Sequence, residues 1–405
     1  MGNSPSVVIT GLGTVNSLGK NVDETWEAMK RGHCAIGPFR DVERHDLKNN
    51  VGAELTEPVT AGLSEREMVA FDRFTLMALQ SAQEAIDQSG LSFDNPDLCE
   101  RTGAIIGVGA CGWHIVEKGY RDILVEGSKR LPVLTVPRFM PSAASAQISM
   151  RYGLKGPVYG VTSACSSSNH GFISAYQSIK SGAADVVIAG GADAPLIWGI
   201  LRGWEALRVL APDTCKPFSL NRRGLVLADG AGVAVLENAD HAKARGANIL
   251  AELAGVGMNA DAGDLVMPTV EGPSRAIELA LKSGDLSADD VDYINAHGTG
   301  TKANDKTETK VIREVFGSHA DALSVSSTKS MHGHALGGSG GIELIACVKS
   351  MIDGIVPPTV NYEEVDPECD LDITANAAKT RAVKCAISNA FAFGGTNAVI
   401  ALKQH

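Results

Sequence analysis

Short apolar runs rich in β-branched residues alternate with stretches of helical spacing along almost the whole chain, and this alternation limits the fold more than any other feature. The strand-like runs are 7–10, 103–108, 186–189, 233–236, 250–256, 293–296, 323–326 and 383–387. They are nearly continuous in apolar residues, so they are expected to be buried on both faces. The stretches 74–88, 143–151, 168–181, 274–283, 305–316 and 340–352 carry helical spacing. Pro273 and Ser274 read as a helix start and Gly284 as its stop. Strands and helices in this order predict an α/β fold with covered sheets. A chain of 405 residues, 44% of them hydrophobic, can make two domains or one large body. Its 44 glycines suit tight strand–helix turns and closely packed helices. The least core-like stretches, 40–63 and 120–141, read as excursions over the surface.

The formal net charge of −11 argues against nucleic acid as a partner. An acidic protein partner would need a local basic patch on this acidic body. No apolar run is long enough to span a bilayer, and polar residues precede VVITGLG where a signal peptide would need an apolar stretch. Eight scattered cysteines without a CxxC fit reduced thiols rather than a disulfide framework. A cytoplasmic location is the expectation.

Cys165 carries the strongest chemical signal. In VYGVTSACSSSNHGF a strand-like run breaks into a small-residue turn and then a helix-like stretch. A thiol there lies at the positive end of a helix, where its pKa should fall. The bland alternative is a small buried hydrophobe. Two later segments favour chemistry. NAHGTGT sets His297 in a Gly/Thr turn, and SSTKSMHGHALGGSGG sets Lys329, His332 and His334 ahead of another helix. A thiolate that attacks and leaves well, with imidazoles to stabilise a developing oxyanion, describes thioester chemistry. His332 and His334 also spell an HxH metal pair, but no third ligand stands at metal spacing and the Lys329 cation disfavours one. No metal is expected.

The chain resembles the β-ketoacyl-acyl carrier protein synthases, the condensing enzymes of the thiolase superfamily, and most closely their type II elongating branch. The resemblance runs from VVITGLGTVNSLG through SAC, ADVVIAGGADA, NAHGTGT, STKSMHGH and NAFAFGGTN. It implies a thiolase-like fold, a duplicated five-layered α-β-α-β-α body. We expect halves of 1–257, carrying Cys165, and 258–405, carrying both histidines, with the site between them. It further implies a Cys-His-His site of Cys165, His297 and His334, with Lys329 tuning the histidines and Glu343 as its partner. Thr299 and Thr301 would bind the pantetheine amides, although threonines in such a turn also bond their own backbone. Phe391 and Phe393 match a mobile loop whose second Phe gates the acyl pocket. The backbone N–H groups of Cys165 and Phe393 would form the oxyanion hole. His332 would be structural.

The implied reaction is decarboxylative Claisen condensation of acyl-carrier protein with malonyl-carrier protein in fatty-acid chain elongation. No cofactor is implied, since phosphopantetheine arrives with the carrier, and a homodimer is. GVGACG places small Ala110 where many relatives carry a bulky residue, so a long acyl chain should fit. CSSS and GTGT lean toward polyketide ketosynthases and STKSMHGH toward the fatty-acid branch. The combination is most similar to nodulation-type ketosynthases. Val69 and Ala70 stand where relatives place basic residues, leaving Arg66, Lys129, Arg130 and Arg208 as carrier-docking candidates. Competing readings are a type II polyketide ketosynthase, a thiolase and a non-catalytic chain-length subunit. Thiolases use a second cysteine as base, and chain-length subunits typically lose the nucleophile that is intact here.

Overall fold

The computed structural model describes residues 5–40, 46–55 and 57–405. Residues 41–45 and 56 of the expected 40–63 excursion lie outside the described residues. A mixed sheet of ten strands organises the chain. The first five are β1 (Val7–Asn16), β2 (Thr102–Gly107), β3 (Val158–Val161), β4 (Val186–Asp193) and β5 (Gly230–Asn238). The second five are β6 (Ala251–Ala260), β7 (Tyr293–Asn295), β8 (Ser324–Ser326), β9 (Cys385–Ala392) and β10 (Thr396–Lys403). Their spatial order is β8-β7-β9-β10-β6-β1-β5-β4-β2-β3.

That order exposes an internal repeat. In each set the first strand lies beside the fifth, then come the fourth, second and third. The second, third and fourth are mutually parallel, and the fifth and first are antiparallel to their neighbours. The connecting helices repeat as well. In the first half α1 (Arg73–Ser89), α3 (Ala143–Tyr152) and α4 (Ser167–Lys180) follow the first three strands. In the second, α6 (Glu271–Ser283), α7 (Lys302–Phe316) and α8 (Ser339–Asp353) do the same. The two sets join where Val8 and Ile9 of β1 pair Glu252 and Ala251 of β6. The expected boundary at 257/258 falls inside β6.

Helices α4 and α8 touch strands of both sets and form the central layer. The outer layers are α1 with α3 on one side and α6 with α7 on the other. Period-two alternation supplies both faces of each strand. Ile105, Val187 and Ala189 join the central core with Phe172 and Leu344, whereas Ala104, Ile106, Val186 and Ile188 meet Phe74 and Met77 of α1. In the second set Ile400 and Leu402 face inward and Val399 and Ala401 outward. Each of the Val, Ile, Leu, Phe and Met side chains contributes about 1.5–3 kcal/mol on burial. Helix α8 approaches strand β5 so closely that a Cβ on Gly341 would lie 2.1 Å from the Gly232 carbonyl oxygen.

Some elements differ from expectation. Helix α6 starts at Glu271 rather than Ser274, with Pro273 inside its first turn, where a missing N–H costs nothing. Strand β3 is the strand-like run read ahead of Cys165, whereas β10 escaped the periodic reading. Helices α2 (Trp113–Leu124) and α5 (Trp198–Leu207) were also not foreseen. Both leave most of their side chains outside the core, so no buried stripe announces them. The 120–141 excursion does run over the surface.

Candidate active site

Cys165 lies where β3 ends and α4 begins. A single 3-10 turn, Ala164–Ser166, joins them, and Ala164 takes the left-handed region at φ +50°. That conformation is costly without glycine and is held by the turn's own serines. Ser167 Oγ accepts from Ser163 N at 2.9 Å and donates to Ala164 O at 2.7 Å, while Ser166 Oγ donates to Ser163 O at 2.8 Å. The serines after Cys165 therefore lock the turn. Cys165 is 7% exposed. Burial pushes its thiol up to about 12, with the Lys329 charge the main opposing influence. This corrects the expectation of a lowered pKa. Removing the thiolate from water outweighs the nearby cation.

His297 follows β7 in a turn opened by Gly298 at φ +37° and Gly300 at φ +79°. Glu308 of α7 fixes this turn. Its two carboxylate oxygens accept from His297 N and Gly298 N, each at 2.8 Å, and one also accepts from Asn389 Nδ2 of β9 at 3.1 Å. His334 donates its backbone N–H to Val226 O at 2.7 Å, and its Nδ1 lies 2.9 Å from Ser339 Oγ at the start of α8. The two imidazole rings meet edge-on, centroids 5.6 Å apart at 83°. Burial, then the Lys329 charge, holds both well below the usual histidine range. Nδ1 of His297 and Nε2 of His334 are buried without a hydrogen-bond partner. His332 turns away: its Nε2 meets Thr328 Oγ1 at 3.1 Å, and burial lowers it to about 3.

Lys329 and Glu343 form a fully buried, short ion pair, with Glu343 Oε2 unpartnered. Burial raises the Glu343 carboxyl while the Lys329 charge opposes it. Cys165, Thr299, Thr301, His297, His334, Phe391 and Phe393 line one cleft, which thus draws on both halves of the repeat. The threonine hydroxyls lie 3.0 Å apart, and Thr301 Oγ1 also caps α7 by accepting from Asn304 N at 3.3 Å. Phe391 packs on His297 at 5.9 Å. Beyond Cys165 a second cavity opens toward Ala110, bounded by Trp113, Ile200, Trp204, Leu336 and Phe393. Trp113 borders the space beside Ala110.

Sequence reasoning missed Glu308, Asp305 and Asp193. Asp305 accepts from Phe218 N at 2.8 Å and Gly300 N at 3.2 Å. Asp193, at the end of β4, accepts from Gly109 N, Ala110 N and Gly337 N at 2.6–2.8 Å, joining the cavity floor to the loop after His334. Its only sequence signal is an acid closing the apolar run VVIAGGAD. Arg66, Lys129, Arg130 and Arg208 are all exposed. Among the described residues no cluster of three or more His, Cys, Asp or Glu could hold a metal, and no helix is long and apolar enough to cross a membrane.

The β-ketoacyl synthase N-terminal domain matches residues 4–242 and the C-terminal domain residues 250–363. The chain belongs to the β-ketoacyl synthase family. It is a condensing enzyme of acyltransferase type with the thiolase-like fold, and ketosynthases of this family need no cofactor of their own. This ketosynthase is 53% identical over 398 residues to nodulation protein E of Rhizobium sp. (strain N33), covering 98% of this chain and 99% of the relative. It is 36% identical over 412 residues to 3-oxoacyl-[acyl-carrier-protein] synthase 2 of Staphylococcus aureus (strain COL), covering 100% and 99%. Among solved structures, a type II polyketide ketosynthase in complex with its acyl-carrier protein superposes with TM-score 0.91 at 30% identity, covering all of both chains.

Proposed function

We propose that this ketosynthase condenses acyl-carrier protein with malonyl-carrier protein, serving a specialised lipid rather than bulk fatty acid. The observation that carries the reading is one cleft lined by Cys165, His297 and His334, with buried, unpartnered imidazole nitrogens. In the first step Cys165 sulfur attacks the acyl thioester. The carrier thiol leaves with the proton that Cys165 gives up, so the exchange is balanced. Backbone N–H groups of Cys165 and Phe393 hold the oxyanion. In the second step malonyl thioester loses carbon dioxide. The imidazoles of His297 and His334, kept neutral, donate to the enolate oxygen where charge develops. The enolate carbon then attacks the acyl-Cys165 carbonyl, releasing the β-ketoacyl product, and uptake of one proton restores the thiol.

Lys329 and Glu343 set the field around the histidines, and Thr299 and Thr301 meet the pantetheine arm. Phe391 and Phe393 flank its path, and Ala110 borders the acyl end. Arg66, Lys129, Arg130 and Arg208 would receive the carrier's acidic surface. The specialised role draws on the similarity to nodulation protein E. We place the chain in the cytoplasm as a homodimer, and the halves divide before β6 rather than at 257/258. The dimer reading is supported by β3, an edge strand paired on one side, where Tyr159 is 40% exposed. The test is intact-mass spectrometry with acyl-carrier proteins from about C6 to C18 (the range over which apolar burial per CH₂ should discriminate). Wild type should gain the acyl mass and Cys165→Ala should not. Equal gain by both, or by neither with any carrier, would refute the nucleophile.

A further inference from the structure

We infer that Trp204 is a specificity-determining residue of the loading half-reaction, the fixed half of a two-ring door whose other half is Phe393. This rests on the reading of Cys165 as acyl acceptor. Trp204 and Phe393 both border the entrance cleft and the cavity beyond Cys165. Their rings stack between the two spaces, centroids 5.7 Å apart and 26° from parallel. Cys165 lines both spaces, and an acyl chain bonded to it extends into the inner cavity alongside this stack.

The two sides of the door are held differently. Trp204 sits on α5, whose Leu201 is buried in the cluster around Cys165, Leu225 and Leu336. The next residue, Glu205, accepts from Asn49 N at 2.9 Å and so ties the helix down. Phe393 instead precedes two glycines in the left-handed region, Gly394 at φ +82° and Gly395 at φ +64°. A Cβ on Gly394 would touch nothing within 4 Å, whereas one on Gly395 would lie 2.6 Å from Asp261 Cβ, so the open space lies on the Phe393–Gly394 side of the loop. Two backbone hydrogen bonds, from Gly394 N to Leu265 O at 2.7 Å and from Asp261 N to Gly395 O at 2.9 Å, hold it against the far side of the cleft. Swinging Phe393 breaks the aromatic contact and leaves Trp204 in place. Short acyl groups end before the stack, whereas long ones must hold it open. The strength of the stack therefore enters the rate for long chains and not for short ones.

The experiment measures single-turnover acyl transfer to wild type, Trp204→Ala and Trp204→Phe from carriers of about C6 and about C16. An aromatic pair of this kind is expected to change the long-to-short ratio by about five- to tenfold. Trp204→Ala should raise C16 loading relative to C6 by that factor, and more than it changes malonyl decarboxylation. Trp204→Phe, which keeps a ring in place, should stay near the wild-type ratio. An unchanged ratio in Trp204→Ala overturns the door. So does an equal loss at both lengths with a lowered melting temperature, which marks a merely structural tryptophan. Wild type acquiring no acyl mass from any carrier refutes Cys165 as acceptor, and the door with it; loading with an unchanged ratio refutes the door alone.

Discussion

At the scale of single residues, burial decides the chemistry of this site. The turn that carries Cys165 was legible as a strand–turn–helix junction, because Gly, Ser and Ala between two periodic stretches are a local signal. Its protonation was not. A helix terminus alone would lower the thiol, yet desolvation pushes it up to about 12. The thiolate fraction of an acid below its pKa rises tenfold per pH unit. Alkylation of Cys165 by iodoacetamide, mapped by peptide mass, should therefore keep accelerating from pH 6 through about pH 10 (an ordinary thiol levels off near 8.5–9). A plateau near pH 7 would show a thiolate already formed. The Lys329–Glu343 pair makes a second case. Lys329→Ala leaves Glu343 buried alone, a change that costs about 3–5 kcal/mol. A marked drop in melting temperature is expected, and it should be smaller in Lys329→Met/Glu343→Leu. Equal losses in both would show that the pair itself is not the source.

At the scale of elements, the repeated β-α-β-α-β-α-β-β unit does the positioning. It delivers Cys165 at the start of α4 from one half, and His297 and His334 from the loops after β7 and β8 of the other. Most of these elements were readable from periodicity, since strands buried on both faces must be nearly continuous in apolar residues. Helices α2 and α5 were not, because neither presents a buried stripe. The central layer tolerates no added volume. Gly341→Ala would drive its Cβ against the Gly232 carbonyl, costing about 1–3 kcal/mol. Gly203→Ala on α5, where a Cβ meets nothing within 4 Å, should be neutral or gain about 0.5–1 kcal/mol from its helix position. Thermal melts of the two variants compare these sites directly, and similar midpoints would refute the close-packing argument.

At the scale of the whole molecule, the −11 charge, the edge strand β3 and the exposed apolar side chains of 120–140 bear on assembly. If β3 is the seam of a homodimer, light scattering should give twice the chain mass. Tyr159→Lys, placing a charge at 40% exposure on that edge, should shift the protein toward monomer. A monomeric wild type would end that reading. What the sequence by itself determined was local: which runs are strands, which turns carry Cys165, His297 and His334, and that covered sheets result. Each follows from residues within a few positions of one another. Only the tertiary structure decided that Glu308 clamps the His297 turn to β9, that Asp193 joins the cavity floor to the His334 loop, and that Trp204 meets Phe393. It also decided that Cys165 is held as a thiol. These depend on groups far apart in the chain and on how much water the fold leaves around them, and no local pattern records either.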